Sequence, residues 1–276
     1  MAFRTRLASS IVALSLTVLV PGSLPAHTSS LDNAPVTGGF DLSAVYSGSV
    51  LIFEVGEISL RTRVEPDRYE AQSMIEASGL VALFTDFEIR SEVEGRLDEG
   101  GFIAPDRYAH IERTGDKVRE VEVSFDTGVA QSDVTPPFGS WGVPPASEED
   151  RRGTIDPMTA FLGLSNAIAL DPDRGCAGSL PVFDGKARYN LNLQSGGFEP
   201  VRTRAWRGDA LVCQAWYEPI SGYDPEDYPS EDELEHPLTI WLAPVQDGAY
   251  YLPVRLHTRA GLGGVTIEAV EITINS

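Results

Sequence analysis

Past residue 26 the apolar and polar side chains mostly alternate, and a period of two marks a β-strand. Phe87-Glu88-Ile89-Arg90-Ser91-Glu92-Val93-Glu94 alternates with its charges on one face. Val121, Val123 and Phe125 alternate with Glu120, Glu122 and Ser124; Ala187, Tyr189, Leu191 and Leu193 alternate with Lys186, Arg188, Asn190 and Asn192. Tyr250, Leu252, Val254 and Leu256 repeat the pattern. Strands with one dry and one wet face belong to antiparallel sheets. In the final segment Val265, Ile267 and Ala269 hold one phase, and Val270, Ile272 and Ile274 then take the other. A one-residue shift of the apolar face is what a β-bulge produces, and bulges bend strands. The pattern predicts a mainly β protein: a large curved antiparallel sheet, an open barrel or β-spiral, with one principal α-helix.

That helix is predicted after Asp156, an N-cap residue followed by Pro157 at the first helical position. Met158, Phe161, Leu162, Ser165, Ile168 and Ala169 fall at helical spacing, and Asp171-Pro172 closes the run. A shorter helix is expected near Gly79 to Thr85. Asp184-Gly185 between two strand patterns predicts a hairpin turn, because both residues tolerate positive φ. The alternative role for Asp184 is an acid beside Lys186. Residues 127–153, rich in proline and glycine, read as a long surface loop between two halves of one sheet. Asp224 to Glu235 carries seven acids in twelve residues and reads as a solvated loop; its spacing is not that of a calcium loop.

Parity gives a candidate interior. Tyr189, Leu191, Leu211, Tyr217, Leu252 and Val254 each fall on the apolar side of their own strand, and they are the expected lining of a core or ligand cavity. A one-residue slip would bury Lys186, Arg188 and Arg255 instead. Whether protein or ligand fills that face is left open by parity.

Residues 1–26 read as a signal peptide cleaved near Ala26. Arg4 and Arg6 precede an apolar run from Ile11 to Val20, which is too short to span a membrane. Residues 27–276 are then one exported, β-rich, periplasmic domain with no transmembrane segment. Cys176 and Cys213 are the only cysteines, and an oxidising compartment makes a disulfide between them the expectation. The chain carries 41 acidic against 21 basic residues, a net charge of −20, which disfavours nucleic acid as a partner.

Signatures of catalysis are missing. The four histidines stand at no metal-ligand spacing, and no G-x-S-x-G elbow, P-loop or dinucleotide fingerprint occurs. No catalytic residue, metal site or cofactor is therefore nominated. Trp206, Trp216, Tyr217 and Trp241 add aromatic bulk in the second half, suited to core packing or to an apolar cavity.

Four stretches carry a likeness. They are Tyr46 to Val64 with Asp67-Arg68-Tyr69 and Gly79-Leu80; Asp156-Pro157-Met158-Thr159-Ala160; Val182 to Tyr189 with Cys213 to Gly222; and Ile240-Trp241-Leu242-Ala243 with Leu252-Pro253-Val254-Arg255. In order and spacing they resemble the proteobacterial periplasmic family catalogued as domain of unknown function three-one-zero-eight, over about residues 40–275. The resemblance implies an open, barrel-like sheet with one helix, similar in shape to the hydrophobic periplasmic lipoprotein carriers, and it attaches no activity. The resulting expectation is a non-enzymatic protein supporting envelope integrity, with a lipid-like ligand or an envelope protein as partner. The alternatives are a hydrolase of envelope polymers and a purely structural interaction module.

Overall fold

Each alternating segment forms a strand in the computed structural model, which describes residues 39–275 except 80, 84–85, 98–102, 173–174 and 261–262. The expected signal peptide lies outside the described residues. The first half supplies β1 (Phe40–Val50), β2 (Phe53–Val64), β3 (Arg68–Ala77), β4 (Phe87–Leu97), β5 (Ile103–Thr114), β6 (Lys117–Ser124) and β7 (Gln131–Thr135). Helices α1 (Glu148–Arg151) and α2 (Pro157–Leu170) follow. The second half supplies β8 (Ala177–Phe183), β9 (Arg188–Arg202), β10 (Arg207–Ser221), β11 (Leu238–Val245), β12 (Tyr250–Ala260) and β13 (Gly263–Asn275), with a short α3 (Glu231–Glu235) after β10.

All thirteen strands belong to one antiparallel sheet, in the order β7-β6-β5-β4-β3-β2-β1-β13-β12-β11-β10-β9-β8. The chain thus starts mid-sheet, walks to one edge, crosses through α2 to the opposite edge and walks back. Pairing of β1 with β13 joins the two meanders. The expected bulge sits in that pair: Val45 faces Glu271 and Tyr46 faces Ala269, so Val270 is the extra residue. The apolar face changes phase at that position, and the bulge keeps Ile267 and Ile272 with the same core cluster.

The two edges approach each other. Phe183 of β8 packs in one cluster with Val121, Val123 and Val134 of β6 and β7. Edge strand β8 is capped by Ile155, whose N–H donates to Pro181 O at 2.9 Å and whose carbonyl accepts from Phe183 N at 2.9 Å. An open sheet edge invites pairing with other chains, and this short parallel bridge covers it.

Helix α2 is the hub of the interior. The Asp156 side chain accepts from the N–H groups of Met158 and Thr159, satisfying donors that a helix start leaves unpaired. Leu164 and Ile168 are buried with Leu211, Cys213, Ile240 and Leu242 of β10 and β11. Met158 and Leu162 pack on the first-half cluster around Tyr69 and Val93, and Phe161 packs on the cluster of Tyr46, Leu60 and Val254. Burying a Leu or Ile stabilises by about 1.5–3 kcal/mol, so one helix, apolar on nearly all sides, helps hold both meanders together.

The disulfide is present: Cys176 Sγ bonds Cys213 Sγ, with the Cα atoms 5.7 Å apart. Asp184 to Ala187 forms the β8–β9 turn. The Asp184 Oδ1 accepts from Lys186 N at 2.9 Å and Ala187 N at 2.7 Å. Gly185 has φ +108°, and a Cβ there would overlap Val121 Cγ1, so only glycine fits. Near Gly79 to Thr85 the expected helix is reduced to a 3₁₀ turn, Val81–Leu83. The acidic loop contains α3, opened by a reciprocal cap between Ser230 and Glu233.

Candidate functional site

Strand register builds the site. Across β1 to β5, Tyr46, Ile58, Ile75, Ile89 and Glu112 line up in one row; Leu60, Ser73, Ser91 and His110 form the next. These two rows wall a cavity of about 470 Å³, roofed by Met158, Phe161 and Leu162 of α2 and reached from the second half by Leu256 and Ile267. The volume falls within the range of small-molecule sites, about 300–1,000 Å³. Its walls are mainly apolar, with polar groups gathered toward β5 and the β8–β9 turn.

At that polar end His110 Nε2 lies 3.3 Å from Glu112 Oε1. The His110 contact holds the Glu112 carboxyl below its ordinary range. Asp184 lines the cavity from the turn; burial pushes its carboxyl up against the pull of two backbone N–H donors. Lys186 Nζ is held at 2.8 Å by Asp224 Oδ2, while Asp224 Oδ1 accepts from the Ser140 hydroxyl. The Phe138 ring lies beneath both Lys186 and Arg119, at 5.6 Å and 4.6 Å from its centroid. Ser91 faces His110 across the β4–β5 ladder, yet His110 Nδ1 has no hydrogen-bond partner. The Tyr46 hydroxyl, on the same cavity wall, is likewise buried without a partner. Burial raises the Tyr46 phenol well above its ordinary pKa.

Beneath the helix start a second polar group is closed. Thr159 donates its hydroxyl to Asp156 Oδ2, and Tyr69 Oη lies 2.7 Å from Thr159 Oγ1. Asp156 is fully buried, and burial pushes its carboxyl up to about 6 despite these donors.

Of the six residues expected to line a core or ligand cavity, Leu211, Leu252 and Val254 are buried in the core, and Tyr189, Leu191 and Tyr217 are half-buried. Leu211 lies buried against Leu164 and Ile168, and Val254 is buried in the Tyr46 cluster. Leu252 lines a smaller apolar pocket with Leu42, Val64 and Phe161. Tyr189 and Tyr217 are half-buried and stack on each other at 4.7 Å; Tyr217 continues through its hydroxyl to Tyr223. Leu191 is half-buried beside them, paired with Tyr217. None of the six lines the 470 Å³ cavity. Lys186 does line it, because it lies in the turn rather than on β9, where strand parity does not reach. Arg188 is half-buried, with its guanidinium donating to the carbonyls of Asp150 and Tyr189.

The opposite face of β2 to β7 carries a larger depression, about 700 Å³, lined by charged residues such as Arg61, Arg90 and Glu120. Its central Arg107 is already paired with Glu92 at 2.7 Å and Glu122 at 2.9 Å. Among the described residues no group of three or more His, Cys, Asp or Glu is placed to hold a metal ion, and no helix is long and apolar enough to cross a membrane.

The profile of a family described as a protein of unknown function, DUF3108, matches residues 43–270. This chain belongs to the DUF3108 family. The DUF3108 match takes in every residue of the cavity, from Tyr46 to Ile267. Among solved structures, this DUF3108 chain is similar to a beta-barrel-like protein of domain of unknown function DUF1849 from Brucella abortus. The likeness covers 86% of this chain and 98% of that one, at 10% identity and a TM-score of 0.50, and it speaks for the fold alone. No curated protein matches the sequence. Neither the family description nor the structural neighbour carries a catalytic indication.

Proposed function

We propose that this DUF3108 protein is an exported, non-enzymatic binder of an apolar, lipid-like ligand that serves the bacterial cell envelope. The observation that carries the reading is the apolar cavity between α2 and the concave face of β1 to β5. A core of this size is normally packed solid, and a cavity walled by isoleucines with polar groups at one end suits an amphiphile. The Cys176–Cys213 bond and the basic-then-apolar residues 1–26 support a periplasmic location.

The hydrolase reading has less support. His110 Nδ1 takes no hydrogen bond from Ser91, so the pair lacks the contact by which a base activates a nucleophile.

Native mass spectrometry of the protein purified from periplasm tests the reading. A bound mass in the lipid range is expected, and it should disappear in Ile75→Trp, whose indole would occupy the cavity. A protein that carries no such mass, and that takes up no apolar fluorescent probe, would overturn the proposal.

A further inference from the structure

The polar end of the cavity has a definite hydrogen-bonding sense. Its carboxyl groups, when ionised, accept only. His110 Nε2 faces Glu112 Oε1 at 3.3 Å. Nδ1 is buried without a partner in a residue only 8% exposed. Asp184 uses Oδ1 for the two backbone N–H groups of its turn. The nearby cations are engaged. Lys186 is paired with Asp224 at 2.8 Å. Arg119 sits over Phe138, donates to Pro136 O at 3.4 Å and lies 3.8 Å from Glu112. Two carboxylates repel a third.

We infer that the cavity takes a single-chain amphiphile whose head group donates hydrogen bonds and bears no negative charge, seated against His110, Glu112 and Asp184. This rests on the reading of the cavity as an apolar-ligand site and names the ligand's chemistry. A hydroxyl or ammonium head meets the two carboxylates favourably. A carboxylate or phosphate head would instead meet the Glu112 and Asp184 carboxylates as a like charge.

The experiment is displacement of a bound naphthylamine probe by dodecan-1-ol, dodecylamine and dodecanoate, three ligands with the same tail. The alcohol and the amine should bind at least about tenfold more tightly than dodecanoate, a difference of about 1.4 kcal/mol. Asp184→Asn, which keeps the Oδ1 acceptor of the turn, and Glu112→Gln should each narrow that gap by improving dodecanoate binding. Equal or tighter binding of dodecanoate, or a gap unchanged in both variants, would overturn the inference while leaving the cavity reading intact. Failure of the probe and all three ligands to bind would overturn both.

Discussion

Replacing Asp156 by Asn should abolish a pH dependence of stability that this single buried carboxyl imposes. Asn is as good an N-cap as Asp; its Oδ1 can keep the Met158 and Thr159 N–H bonds. Its amide can donate to the Thr159 hydroxyl, which can then donate to Tyr69. The fold should persist. The titration does not. In the native protein burial raises the Asp156 carboxyl from 3.8 to about 6, a rise equivalent to about 3 kcal/mol at 1.36 kcal/mol per pH unit. Between those two values the folded state holds the extra proton. Stability therefore falls as pH climbs from about 4 to about 6, and is level above that. Glu112, Asp150 and Asp224, whose carboxyls are held down by their partners, titrate alike in wild type and variant, and so cancel in the difference. Urea unfolding at pH steps from about 4 to 7 should show Asp156→Asn gaining about 3 kcal/mol on wild type across the window. For a chain of this size, that corresponds to about 6–12 °C in melting temperature. Parallel stability profiles, offset by a constant amount, would refute the reasoning.

The double variant Cys176→Ala/Cys213→Ala should lose about 4 kcal/mol, the loop-closure value for a sequence separation of 37. An unchanged melting curve would contradict that. Gly185→Ala should cost about 2 kcal/mol or more, through its left-handed φ and its overlap with buried Val121; a variant as stable as wild type in urea would show that the turn can move away from β6.

Much of the fold was legible because strand signals are local. Alternation marked the strands, the phase change at Ala269–Val270 marked the bulge, and Asp156-Pro157 marked the helix start. The disulfide needed only a cysteine count and the expectation of an oxidising compartment. The cavity was not legible, for two physical reasons. Parity says which side chains face inward, but not which of them the opposing layer reaches. Tyr189 and Tyr217 look like lining because of their parity, yet they pack on each other, while Ile58, Ile75 and Ile89 line the cavity. Second, the polar wall breaks the pattern that reveals a buried face. Ser73, Ser91 and His110 occupy inward positions on three successive strands. Read singly, each looks like a surface residue. Only the register places them side by side.

The helix that roofs the cavity is tied to both halves of the sheet by unlike means. At its start, the Asp156–Thr159–Tyr69 hydrogen bonds reach β3, and Ile155 pairs with β8. After its end, Gly175 N donates to Asp171 O at 2.6 Å, in a turn where a Cβ on Gly175 would overlap the Ile168 backbone. The next residue, Cys176, is bonded to β10. A helix of 14 residues spans about 21 Å at 1.5 Å per residue, so these ties fix its position across the concave face at both ends. Met158, Phe161 and Leu162 are therefore held over Ile58 and Ile75 by groups that make no contribution to the cavity wall themselves. The buried Asp156 carboxyl is costly to keep ionised, but its acceptors close every donor at the helix start. An apolar residue there would avoid the cost of the charge and leave the N–H groups of Met158 and Thr159, and the Thr159 hydroxyl, without their acceptor in the interior. The groups that hold the roof of the cavity in place thus lie in the cap and the disulfide, outside the cavity lining.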